Sequence, residues 1–511
     1  MEESLPLSPA LAGEAAPERR FRLQDRLFAW LLLLFGYCFW LLFPFLQKPL
    51  ASALLIAALY AFTFFVPLRG RCRFDLCAKL VFLSAALALL AALIWADRFH
   101  AFICFAYLLA AYAYLVLAGT GGTLEGGWSE LLGADLLRAW FIFPFSSFGA
   151  LFPALLLPQG KGFGRTLLKI ALGLFLAVLP TWLVLSLLSY DSGFTELLAR
   201  IFSLRIDDPG MILLRFCFGV PVALYVFGLY FSSVSGKLLR EDGARRVRER
   251  AERRRILPPL SAAAAVIPLL FVYVLFFLSQ WGYYTSAFTG VLPAHLSYAE
   301  YARSGFFQLC TVAFVNFLVL LALSRLVRRG RERFMRALCV TLTLFTLLLI
   351  ATALSKLRLY IAAYGLTPDR VHAAWFMLLL SLLFLLVLIR QFSPRFNAFP
   401  IAAALCVAMF LLLALSGSNG WIARRNVERY LRGEAEQIDV YALCDLGDDA
   451  VPELLRLDRY LAEKGERDET LRAFLRGRAA EKQDIWSCTL SSLRAGRLLE
   501  QAGYMQKESP P

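Results

Sequence analysis

The sequence predicts an all-α polytopic transmembrane helix bundle of about 11 spans, N-terminus in and C-terminus out, ending in a small helical extracytoplasmic domain. Three observations predict it. Hydrophobic residues make up 59% of the 511 residues and charged residues only 18%, at a mean hydropathy of +0.63. No aqueous core can bury that excess, so lipid must solvate much of the chain. Apolar runs of about 17–25 residues, the length that crosses a hydrocarbon core, recur along the sequence. The Lys and Arg residues between those runs alternate in density, as loops on opposite sides of a bilayer do.

The elements follow in order. Residues 1–26 are Ala/Pro/Glu-rich at first and then carry Arg19, Arg20, Arg22 and Arg26, which reads as a disordered, basic cytoplasmic tail. The apolar run after it lacks a small-residue cleavage site, so it is expected to be an uncleaved first span. Spans are expected at 27–46, 50–66, 80–95 and 101–118, then 167–189, 212–231, 261–281, 305–324, 338–355, 372–390 and 398–416. Between the fourth and fifth lies a cytoplasmic loop, 119–166. Its apolar stretch 140–157 is broken by Pro144, Ser146, Ser147, Gly149 and Pro153 and is expected to be interfacial or re-entrant.

Charge orients these spans. With the N-terminus inside, and the boundary residues Lys169 and Arg390 counted with the inside, the inner tail and loops hold 29 Lys and Arg, and the short outer loops hold 8. The densest clusters fall in the inner loops 232–260 and 325–337. A net charge of +15 would raise the question of nucleic acid in a soluble protein. Here it retains loops in the cytoplasm beside anionic lipid headgroups, and no nucleic-acid motif accompanies it. The expected partners are the bilayer and those headgroups, while no protein partner is identifiable.

Residues 417–511 shift to charged, helix-forming composition and are expected outside the cytoplasm. Asp448 and Asp449 are expected to cap a helix running to Leu461, with Pro452 in its first turn. Further helices are expected over 468–480 and 484–501. Cys444 and Cys488 are the two cysteines of this domain, and an oxidising compartment would let them pair. The other eight cysteines follow no metal-ligand spacing.

Polar residues near the outer face are the candidate site: Asp191, Tyr298, Glu300, Tyr301, Arg303, Lys356, Arg358, Tyr360, Tyr364, Arg424 and Asn426. All three histidines, His100, His295 and His372, fall on that face too. A belt of interfacial aromatics with local ion pairs explains such residues blandly, and a ligand-binding pocket built from distant segments is the sharper alternative. Within spans, Arg215 is expected to snorkel outward and Asn316 to bond across helices. Pro180, Pro221 and Pro268 permit kinks. No metalloprotease, nucleophile-elbow or Walker signature is present, and the Gly-rich run 119–127 lacks the Lys-Ser/Thr of a phosphate loop. No catalytic residue, metal site or cofactor is assigned.

The strings YAEYARSGFFQL (298–309), YIAAYGLTPDR (360–370) with WFM (375–377), ARRNVERY (423–430), IDVY (438–441) and DDAVP (448–452) carry a resemblance. They are similar to motifs of a bacterial multi-pass membrane family catalogued as a domain of unknown function, the four-one-seven-three type, related to the four-one-five-three type. The resemblance covers roughly 165–460. LSYDSGF (188–194) departs from the family's Ser-Ala-Asp pattern but keeps Asp191. What it implies is a polytopic protein of the bacterial inner membrane, with no activity to carry over.

Three functions fit these readings. The first is non-enzymatic transport or envelope homeostasis through the outer polar surface. The second is a membrane sensor or scaffold using the C-terminal domain. The third is an enzyme on a lipid-linked substrate, with Asp191 or Glu300 as acid/base and Arg303, Arg358 and Arg424 on phosphate.

Overall fold

A lipid-facing backbone must satisfy its polar groups internally, and helices do so within one segment. The computed structural model describes residues 21–42, 48–95, 97–155, 209–236, 243–279, 306–328, 330, 332–393, 396–481 and 485–504. These form helices and connecting turns, with one isolated bridge between Leu257 and Val327. In chain order the helices are α1 Leu23–Leu42, α2 Pro49–Phe65, α3 Leu76–Ile94 and α4 Arg98–Gly119. A bent pair follows, α5 Leu132–Ser146 and α6 Phe148–Leu155. Then come α7 Pro209–Ser235, α8 Gly243–Arg253, α9 Pro259–Ser279, α10 Phe306–Leu326, α11 Glu332–Tyr364, α12 Pro368–Phe392 and α13 Ala398–Leu415.

Among the described residues nine helices are long and apolar enough to cross a membrane, and the bent pair would make ten. The chain is a multi-pass helical membrane protein. Each of the nine falls on an expected span, and α2, at 17 residues, is the shorter apolar helix over the expected 50–66. The expected span 167–189, with Pro180, lies outside the described residues. Over the expected span 338–355 the helix is longer than the span: α11 runs for 33 residues. At 1.5 Å per residue that is about 50 Å, well beyond a hydrocarbon core of about 30 Å. Hydropathy detects only its apolar middle, so Arg333 and Lys356 ride on turns that extend the same helix.

The helices gather into two lobes. Phe28, Phe105, Phe143, Phe227 and Tyr230 are buried in the first, built from α1 to α7. Leu342, Leu349, Met377 and Phe384 are buried in the second, built from α9 to α12. Helix α13 joins them. Trp375 of α12 donates its indole N–H to Met409 O at 3.0 Å, and Phe410 packs its ring 4.6 Å from Tyr107 of α4. In the second lobe Asn316 does bond across helices. It accepts from Tyr273 at 2.6 Å and donates to Thr346 at 2.9 Å, tying α9, α10 and α11.

The stretch expected to be interfacial or re-entrant is the bent pair, whose halves meet at 50°. Pro144 has no N–H, so Trp140 O loses its helical donor. Tyr225 of α7 supplies one at 2.8 Å. Phe143 O, stranded by the break after Ser146, accepts from Ser232 at 2.7 Å and from Ser146 at 3.0 Å. Gly228 lies against this backbone, where a Cβ would come within 2.2 Å of Pro144 O. Protein groups from α7 therefore replace the solvent that lipid could not provide.

The Gly-rich run is tied down at the end of the first lobe. Gly127 N donates to Asp75 at 2.8 Å. Leu124 N donates to Asp135, which is fully buried and paired with Arg138 at 2.9 Å. Two of the run's amides are thus spent on carboxylates of the chain itself, and those of Thr120, Gly121 and Gly122 on backbone carbonyls of α4. The Arg-rich α8 meets the same end through Arg248–Glu125 at 2.7 Å, and the end of α12 does so through Arg390–Glu130 at 2.8 Å.

At the opposite end sits the C-terminal domain: α14 Ser418–Leu431, α15 Val440–Cys444, α16 Val451–Glu463, α17 Glu469–Ala480 and α18 Leu490–Gln501. Leu454, Leu457, Leu471 and Leu475 are buried in its own core. Two expectations need correction. Asp448 and Asp449 do not cap α16; Asp448 pairs with Arg478 and Asp449 accepts from Ser491, tying three segments together. The last helix begins at 490 rather than 484, because Thr489 and Ser492 form a reciprocal capping box there. Cys444 and Cys488 are not joined by a disulfide in this structure.

Candidate functional site

The sequence-predicted residues divide three ways. Asp191, Tyr298, Glu300, Tyr301 and Arg303 lie outside the described residues. Tyr360, Tyr364 and Asn426 meet at the corner where α11 turns into α12. The two tyrosine rings are 5.2 Å apart and Arg370 stacks over Tyr360 at 4.1 Å. Asn426 of α14 donates to Leu366 O at 2.8 Å and accepts from Leu366 N at 2.9 Å, closing a ring of bonds on one residue. Arg429, one turn on, donates to Ile361 O at 3.2 Å and also to Ala362 O. Asn426 and Arg429 spend their donors on backbone and lace the domain to the second lobe. Lys356 is half-buried and Arg358 exposed on the protruding turns of α11. Arg424 stands apart, paired with Glu428 of its own helix at 2.9 Å. Arg432 and Arg456 also lie within 4.0 Å of Glu428, whose carboxyl is held below its ordinary value, chiefly by the Arg424 hydrogen bond.

A second cluster, missed in the sequence apart from its histidines, joins the domain to the first lobe. Asp97 caps α4, accepting from His100 N at 3.2 Å. The His100 ring turns back to the same carboxylate through Nδ1. An ionised carboxylate only accepts, so Nδ1 carries the proton, and Nε2 is the nitrogen turned toward α14. Ser418 Oγ lies 3.4 Å from that Nε2. His100 and Ser418 are each only 3% exposed, while Asp97 keeps 21%. Burial pushes the Asp97 carboxyl up, but the hydrogen bond and charge of His100 outweigh it and hold the group below its ordinary value.

Local sequence builds each half. Asp97 precedes α4, so a capping carboxylate and a histidine three residues on share one turn. Gly417 takes the left-handed conformation at φ 57°, which lets α13 stop and α14 start with only Ser416 and Gly417 between them. A Cβ there would strike the Trp95 ring at 2.4 Å, so the indole packs directly on the glycine backbone. Phe99 stacks on His372 at 4.4 Å, and the two imidazoles are 5.9 Å apart. Around this junction Trp95 Nε1, His372 Nε2 and Asn419 Oδ1 are buried with no hydrogen-bond partner among the described residues. No group of three metal-ligating side chains occurs among the described residues.

Residues 82–457 match the family model described as "Domain of unknown function (DUF4153)". The chain belongs to this family. The match is to the four-one-five-three type, which the sequence motifs suggested only as a relative. It begins in the first lobe, well before the 165 at which the motif resemblance starts. The DUF4153 region contains both halves of the second cluster and the whole Asn426 corner. No curated protein and no solved structure matches the chain.

Proposed function

We propose that this DUF4153 protein is a membrane sensor or scaffold in which the C-terminal domain clamps the two helical lobes and passes a signal between them. One observation carries the reading: α14 touches both lobes, by packing and a 3.4 Å polar approach on the first and by hydrogen bonds on the second. Ser418 and Gly417 meet His100 and Trp95 of the first lobe, and Asn426 and Arg429 hold residues 361–366 of the second. A partner that engages the domain acts on both lobes at once. The polar corner supports this reading over transport, since Asn426 and Arg429 are spent on the backbone of residues 361–366.

The membrane is the bacterial cytoplasmic membrane in this reading, with the Arg-rich end inside against anionic headgroups and the domain outside. The inward bias of Lys and Arg supports that orientation. The clamp is tested with spin labels on exposed positions of α3 and α12. In the wild type their distance distribution is narrow, and it broadens in Asn426→Ala/Arg429→Ala. An unchanged distribution would mean that α14 does not couple the lobes.

A further inference from the structure

We propose that Asp97, His100 and Ser418 form an acyl-transfer site, with Ser418 as nucleophile, acting on an ester of a membrane-lipid acyl chain. Three features point to it. The bonding order is that of an oriented base. A carboxylate fixes Nδ1–H, and the opposite nitrogen faces a serine hydroxyl. The Ser–His separation of 3.4 Å is long for a made bond and usual for such a pair before substrate binds. Ser418 also opens α14, where the first helical bond is made by Trp421 N to Gly417 O. The amides of Asn419 and Gly420 therefore lack helical partners, and the amide after the nucleophile is where an oxyanion donor is needed.

The third feature is the surrounding polar deficit. Asn419 is 6% exposed with its Oδ1 unpartnered, and Trp95 Nε1 and His372 Nε2 share that condition at the same junction. Buried polar atoms without partners are uncommon where a junction is purely structural. Capping alone would use only the Asp97–His100 backbone bond. The walls set the substrate class. Phe99 is 45% exposed and covers the imidazoles, Trp95 lies on Gly417, and both flank the turn between two membrane-crossing helices. Phe99 is the exposed side chain of this junction, so it is beside Phe99 that an apolar acyl chain would have to enter from the bilayer.

The chemistry balances with water as second substrate. Ser418 Oγ adds to the ester carbonyl carbon while its proton passes to His100 Nε2. The bond to the alcohol oxygen breaks, and that oxygen takes the proton from His100. Water then adds to the acyl-serine, giving one proton to His100, and the carboxylic acid leaves as Ser418 regains it. Asp97 touches no reacting atom and is a positioning residue.

The test uses the full chain in detergent–lipid micelles and an alkyl fluorophosphonate, whose phosphorus Ser418 would attack with loss of fluoride. Mass spectrometry locates the adduct. The expected result is labelling of Ser418 that disappears in Ser418→Ala, persists in Ser416→Ala and falls at least tenfold in His100→Gln. Asp97→Asn lowers the plateau of the pH–rate profile and moves its acid-side inflection to lower pH, which a merely structural role would not do. Phe99→Ala speeds labelling by opening the cover. No Ser418 adduct in monodisperse wild-type or Phe99→Ala protein, or an adduct indifferent to His100, overturns the proposal. This outcome is separate from the inter-lobe distances that test the clamp.

Discussion

Single residues decide how closely the lobes can pack. Gly36 of α1 and Gly219 of α7 cross with a Cβ on Gly36 only 2.2 Å from Gly219 O. Small residues let helix backbones approach where no hydrophobic effect drives them together. Gly36→Ala must push the helices apart, at a cost of about 1–3 kcal/mol for an overpacked contact. A fluorescence melting curve in detergent should fall by several degrees, while Gly149→Ala, with nothing within 4 Å, should leave it unchanged. Asp97 gives a pH signature. Its folded pKa is depressed, so its contribution is complete above the unfolded value of about 3.9 and is lost as pH falls through the folded one. The melting advantage of wild type over Asp97→Asn should therefore be full above about pH 4 and shrink below it. Cys444 is half-buried, and burial together with Asp468 and Asp445 pushes its thiol up to about 11. It should alkylate slowly at pH 8 until the domain is unfolded, when its rate should rise towards that of a free thiol.

At the scale of elements, the bent pair shows what a broken helix needs. Tyr225→Phe removes the donor to Trp140 O, and Ser232→Ala removes one of two donors to Phe143 O. An unsatisfied buried carbonyl costs about 1–3 kcal/mol, so Tyr225→Phe should lower the melting temperature more than Ser232→Ala. Equal or reversed losses would show that the bend is held some other way. The bend itself was legible from Pro144, Ser146, Ser147 and Gly149, and the apolar spans from length and hydropathy. What held the bend was not, because Tyr225 and Ser232 lie 85 and 89 residues from the atoms they satisfy. The candidate site divides the same way. Tyr360 and Tyr364 share a turn of helix and could be grouped from spacing, whereas His100 and Ser418 are 318 residues apart. Asp97 and His100 read as an ordinary cap, and only the return of α13 brings Ser418 to the ring. The overhang of α11 was missed because charged turns look like loop to a hydropathy window.

For the whole molecule, the question is whether the C-terminal domain is an appendage or a structural member. Its core reaches beyond itself: Leu366 of the α11–α12 corner is buried with Ile422, Val427 and Leu454. The Leu366 backbone is bonded through both of its polar groups to one side chain, Asn426. That arrangement gives a local readout of a global joint. In Asn426→Ala the Leu366 amide loses its acceptor, and a net hydrogen bond of about 0.5–1.5 kcal/mol corresponds to roughly a two- to tenfold faster exchange if the amide opens locally. Asn426→Asp keeps an acceptor for Leu366 N but gives up the donor to Leu366 O, so its effect should be smaller. If the domain is a structural member, the loosening spreads: amides of α14 near Ser418, on the first lobe, should also exchange faster in Asn426→Ala. If exchange changes at Leu366 alone, the corner is a local latch and the two lobes are held by α13. Amide exchange followed by mass spectrometry across 361–366 and 418–424 separates these outcomes in one experiment.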